Sequence, residues 1–128
     1  MPLTHPLNFS VGWSLVLAAF LTGAAIGLFF HREDFFGGYT SFRRRIVRLG
    51  HIALAALGMM NVLYALSPRP SPGAWNEPWA TNLWILGAVT MPLVCFLTGW
   101  RDGWRKWFAV PVASLILAVV LTLTGALP

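Results

Sequence analysis

Between about Phe9 and Phe30 no side chain carries a charge, and the same holds from about Trp79 to Trp100 and from about Trp107 to Leu127. Each run is close to the roughly 20 residues with which an α-helix crosses about 30 Å of hydrocarbon. A fourth run, from about Ile46 to Leu66, is interrupted only by Arg48 and His51 near its start. Lipid offers no hydrogen bonds, so the backbone of such runs must satisfy itself within the segment, which selects helix. The expectation is an all-α integral membrane protein with four transmembrane helices, forming one transmembrane domain over residues 1–128.

Composition supports lipid as the main solvent. Hydrophobic residues make up 57% and charged residues 10%, with a mean hydropathy of +0.68, whereas soluble domains carry about 25% charged residues. The opening MPLTHPLNFS brings no Lys or Arg ahead of the first run and no clear small-residue cleavage site follows, so that run reads as a retained helix rather than a signal peptide. Cys95 is the single cysteine, which excludes an intrachain disulfide, a CxxC redox pair and a cysteine-rich zinc site. Inside an apolar run it reads as a small buried hydrophobe.

Charge asymmetry sets the expected orientation. Arg32, Arg43, Arg44, Arg45 and Arg48 flank the first connection and Arg101, Arg105 and Lys106 the third, while the second, around SPRPSP, has only Arg69. By the positive-inside rule, loops 31–45 and 101–106 face the cytoplasm, giving two out-in-out hairpins with both termini non-cytoplasmic. Trp13, Trp75, Trp79 and Trp84 would then mark the outer interface, and Trp100, Trp104 and Trp107 the inner one. Short loops and a preference for Arg over Lys suit a bacterial cytoplasmic (inner) membrane.

Helices in lipid pack through small residues, because apolar side chains gain nothing by leaving lipid for one another. The first helix offers Ala19, Gly23 and Gly27; the second offers Ala55, Gly58 and Ala65, which a helical wheel places on one side with Val47, His51 and Val62. Leu54 and Asn61 fall at the edge of that side, and Leu49, Ala53, Ala56, Met60 and Leu63 fall opposite, towards lipid or a partner. The fourth helix has Ser114, Ala118, Thr122 and Ala126 at four-residue spacing. Pro92 reads as a packing kink in the third helix. Thr22, Asn61, Tyr64 and Thr90 read as hydrogen-bonders between helices.

Ionisable residues inside a span are costly, which makes His51 the first candidate for chemistry. A neutral imidazole there can ligate haem or chlorophyll or relay a proton; equally, it can be a histidine hydrogen-bonded to a neighbouring helix. His31, between Phe30 and Arg32, reads as a wetted cap, with a second-ligand role as the alternative. His5 has no recognisable sequence partner. Arg48 can snorkel to the interface. Arg43, Arg44 and Arg45 fit a topology signal, or contacts to anionic lipids or a partner, and Phe35, Phe36, Tyr39 and Phe42 around a Gly37–Gly38 hinge form an aromatic loop that either dips into the interface or docks another protein.

Several functions drop out on residue type. All four acids, Glu33, Asp34, Glu77 and Asp102, lie outside the apolar runs, against an exporter that needs an intramembrane carboxylate. No HExxH or comparable metal spacing occurs, and no catalytic constellation is visible. The expectation is therefore a non-enzymatic accessory or structural subunit of a larger membrane complex, respiratory or photosynthetic, with other membrane subunits and anionic lipids as partners, no nucleic acid and no cofactor of its own. Two alternatives stand beside it: a haem- or chlorophyll-binding subunit using His51, and a small oligomeric transporter or channel.

Overall fold

The computed structural model describes residues 4–67 and 76–126, with the side chain of Ala126 excluded. Residues 68–75, which include Arg69 and Trp75, and the end of the fourth run at Leu127 lie outside the described residues. The fold is all-helical: α1 (Pro6–Phe29), α2 (Phe42–Leu66), α3 (Glu77–Trp100) and α4 (Ala109–Ala126). By length and composition, four helices are able to cross a membrane, the fourth counted from Asp102 to Gly125.

Caps and turn residues explain where the helices begin and end. The side chain of Ser41 accepts a hydrogen bond from the backbone N–H of Arg44 at 3.2 Å, an N-cap that starts α2 at Phe42 rather than near Ile46. The arginine run therefore becomes the first turn of a helix instead of a loop. Gly37 and Gly38 take positive φ values of 81° and 93°, and Phe36 joins them at 53°. These glycines shape a short 3₁₀ turn over Phe35–Gly37 rather than an open hinge. After the extended Arg101, the stretch DGWRK and Trp107 fall in a second 3₁₀ helix, Asp102–Phe108, that leads into α4. Pro92 lies buried inside α3, whose helix continues through it.

The helices run antiparallel in chain order and form a row: α1 packs on α2, α2 on α3, and α3 on α4, with a lighter contact between α1 and α3. Among the described residues, α1 and α4 share no packed interface, so the row does not close there. α2 is thus buried on two sides, facing α1 through Gly58 and Val62 and α3 through Gly50 and Asn61. The sequence wheel gave it one buried side with Asn61 at the edge; Asn61 and Leu54 lie inside, while Leu49, Ala56, Met60 and Leu63 are exposed.

Small residues make the closest approaches. A Cβ on Gly12 would fall 2.7 Å from the carbonyl oxygen of Gly58, and one on Gly50 would fall 2.9 Å from the Cβ of Cys95. Ala65, Ala88, Cys95 and Ala118 are wholly buried. Ser114 and Ala118 face inward from α4, and a Cβ on Gly87 of α3 would strike Leu115. Gly27 is a correction: it is exposed, and a Cβ there would meet nothing within 4 Å.

Candidate functional site

A connected polar cluster occupies the end of the row where α1 starts, α2 finishes and α3 starts. Asn8, wholly buried, donates through Nδ2 to Oδ1 of Asn61 at 2.9 Å and to the carbonyl of Thr81 at 3.4 Å. Asn61 donates in turn to the carbonyls of Leu57 and Trp84. The Thr81 hydroxyl lies 3.4 Å from both the Tyr64 hydroxyl and Nδ1 of His5. His5 stacks on the Tyr64 ring at 4.5 Å and reaches to 3.6 Å from a carboxylate oxygen of Glu77. Trp84 extends the cluster to α4 by donating to the hydroxyl of Thr122 at 3.0 Å. Every helix contributes, which fixes the relative rotation of the helices as apolar packing alone cannot.

This cluster corrects two sequence readings. His5 is buried against Tyr64, Thr81 and Glu77 rather than idle in a tail. Trp84, expected at the outer interface, is an interior residue because its indole N–H finds a hydroxyl on α4. Asn8, Glu77 and Thr81 went unassigned as site residues. The only available signal was their clustering near helix ends, and no periodicity links residues so far apart in the chain. Thr90 also departs from expectation, bonding within α3 to the carbonyl of Leu86.

His51 sits half-buried between α1 and α2. Its Nδ1 lies 3.1 Å from Oγ1 of Thr22, and that hydroxyl donates to the carbonyl of Ala18 at 2.8 Å. In the tautomer whose Nδ1 carries the proton, Nδ1 donates to this hydroxyl and Nε2 holds the lone pair a ligand would use. Gly23 makes room for the ring, since a Cβ at that position would fall 2.9 Å from Cε1 of His51. A second axial histidine is not at hand. His31 is exposed nine residues beyond Thr22, about 13 Å further along the axis. Among the described residues, no second histidine stands at the depth of His51. Among the described residues no three of His, Cys, Asp and Glu gather as a metal site.

The opposite end of the row carries the arginines, and consecutive residues on a helix point about 100° apart, so the three arginines of the run have three different fates. Arg43 reaches α3, donating to the carbonyl of Trp100 at 3.4 Å. Arg45 is exposed. Arg44 turns inward and is 1% exposed, so it cannot serve as the lipid or partner contact expected of it. Its Nη2 donates to the carbonyl of Phe30, the C-cap of α1, and, at 2.8 Å, to that of Arg32, which also accepts the backbone N–H of Phe35 at 3.3 Å. The guanidinium lies 4.7 Å from the Phe30 ring centroid and 5.2 Å from that of Tyr39, an arrangement that favours a cation at a helix C-terminus. Arg48 is exposed and lies 5.8 Å over the Tyr39 ring.

The aromatic loop folds partly on itself. Phe35 stacks on Phe29 at 5.5 Å and packs edge-on to Phe36, both half-buried, while Tyr39 and Phe42 remain exposed. No protein-family model, curated protein or solved structure matches the chain.

Proposed function

We propose that the chain is an accessory subunit of a larger membrane protein assembly, without a catalytic site of its own. The observation that carries this reading is the open row: α1 packs mainly on α2 and α4 mainly on α3, and both leave a large apolar surface exposed, including Phe20, Leu21 and Leu28 on α1 and Ile116, Leu117 and Leu123 on α4. Two such edges let a short chain bridge neighbouring membrane subunits through van der Waals packing. The buried polar residues Asn8, Asn61 and Trp84 support the same reading, since they join helices to one another.

The proposed setting is a bacterial inner membrane with the arginine-rich end in the cytoplasm and both termini outside. All basic residues except Arg69 lie on the first and third connections or close beside them, and the hydrogen bond from Arg43 to Trp100 brings those connections together. Extraction of the tagged chain from its native membrane in mild detergent tests the subunit reading. Stoichiometric recovery of other membrane proteins is the expected result, and migration as a lone species overturns it.

A second reading has one observation in its favour: His51 is half-buried on α2 and engages Thr22 through Nδ1, and among the described residues no hydrogen bond engages its Nε2. In it, His51 is one axial ligand of a haem or chlorophyll completed by a partner chain. A visible absorption band that shifts or disappears in His51→Ala supports it. A colourless complex, or a band indifferent to the substitution, removes it.

A further inference from the structure

The first two turns of α2 place Phe42, Arg45, Ile46 and Leu49 on one stripe, and these four residues line a surface groove of about 390 Å³. From the neighbouring 3₁₀ helix, Arg105 brings its guanidinium to 5.6 Å from the Phe42 ring centroid. An apolar floor of Ile46 and Leu49 therefore runs towards the middle of the helix from a rim that holds two cations. Among the described residues, no carboxylate stands within ion-pair distance of Arg45 or Arg105; the pairs formed are His5 with Glu77 and Arg32 with Asp34.

This end of the molecule is strongly basic. Arg32, Arg43, Arg44, Arg45, Arg48, Arg101, Arg105 and Lys106 face only Glu33, Asp34 and Asp102, eight cations against three anions, a balance of +5. Arg43 and Arg44 are engaged with the backbone carbonyls of Trp100, Phe30 and Arg32, so their direction is already set by the protein. Arg45 and Arg105 have no such engagement among the described residues.

We propose that this groove seats one anionic phospholipid, its phosphate between Arg45 and Arg105 and an acyl chain along Ile46 and Leu49. A phosphate diester joined to a long apolar tail matches a cationic rim continuous with an apolar floor, whereas an acidic protein segment would leave that floor unfilled. The inference rests on the reading that the helices span a membrane, and is independent of the subunit reading.

The test uses the full-length chain purified in mild detergent and titrated, by native mass spectrometry, with phosphatidylglycerol and with phosphatidylcholine of the same acyl chains. Phosphatidylglycerol should bind at one equivalent, about fivefold more weakly in R45Q and again about fivefold more weakly in R105Q, as loss of one membrane-surface charge implies. R43Q and R48Q remove equal charge from outside the groove and should change binding by less than about twofold. Leu49→Gln should weaken it with the arginines intact. Far-UV circular dichroism identifies any variant that has lost helix. Equal retention of phosphatidylcholine, an equal loss in R43Q or R48Q, or full displacement by inorganic phosphate each overturns the proposal. Because the assay uses the isolated chain, its failure is distinct from a failure to find partner subunits, and solubility of the chain without detergent would instead overturn the membrane reading.

Discussion

Gly12 and Gly58 meet backbone to backbone: a Cβ on Gly12 would fall 2.7 Å from the Gly58 carbonyl oxygen, and one on Gly58 would fall 2.8 Å from the Gly12 carbonyl oxygen. The contact is reciprocal because neither residue has a side chain to hold the two backbones apart. In lipid, where no hydrophobic force draws helices together, this approach is what lets the two make close van der Waals contact.

Gly58→Leu should therefore separate α1 from α2, at a cost of about 1–3 kcal/mol from overpacking. Gly27→Leu is the matched control, since a Cβ there meets open space, and it should fall within about 0.5 kcal/mol of the parent. Thermal unfolding in detergent measures both. Equal stability of the two variants would contradict the close approach.

Arg44 and Arg45 are adjacent in sequence and opposite in role, one buried against the end of α1 and the other exposed. Arg44→Met should destabilise the fold by about 1.5–3 kcal/mol, the range for hydrogen bonds to charged groups. Arg45→Met should leave unfolding nearly unchanged, by about 0.5 kcal/mol or less for a surface site. The same thermal assay decides, and matching losses would show that Arg44 acts only as one more positive charge.

The hydrogen bond between Asn8 and Asn61 spans α1 and α2 and lies wholly buried. A double-mutant cycle with Asn8→Ala and Asn61→Ala should give a coupling of about 0.6 kcal/mol, and no more than about 1.7, the range found between membrane helices. Additive losses in reversible unfolding would mean that each amide is satisfied elsewhere.

Orientation is open to a labelling experiment on a Cys95→Ala background, which clears the one native thiol. In intact cells, a membrane-impermeant maleimide should label Ser71→Cys, in the connection between α2 and α3, and spare Asp34→Cys until the cells are opened. The reverse pattern would place the arginine-rich end outside.

The four spans were legible in the sequence because hydropathy adds up over about 20 residues and depends on no distant partner. The small-residue side of α2 was legible for a similar reason: a helix turns about 100° per residue wherever it is, so Gly58, Val62 and Ala65 share a face before anything packs on them. Helix starts were less visible. Ser41 extends α2 back through the arginines by a single capping hydrogen bond, a local geometry that composition does not reveal.

The sequence by itself determined that the chain is helical, apolar enough to live in lipid, and basic at the turns joining α1 to α2 and α3 to α4. Only the tertiary structure decided that α2 is buried on two sides, that the row stays open between α1 and α4, that Arg44 turns inward while Arg45 does not, and that His5 meets Glu77 across 72 residues of chain. The difference is physical. Solvent preference and helical periodicity belong to each segment alone, whereas a buried hydrogen bond needs two groups at one depth and one rotation, and that coincidence exists only once the helices have packed.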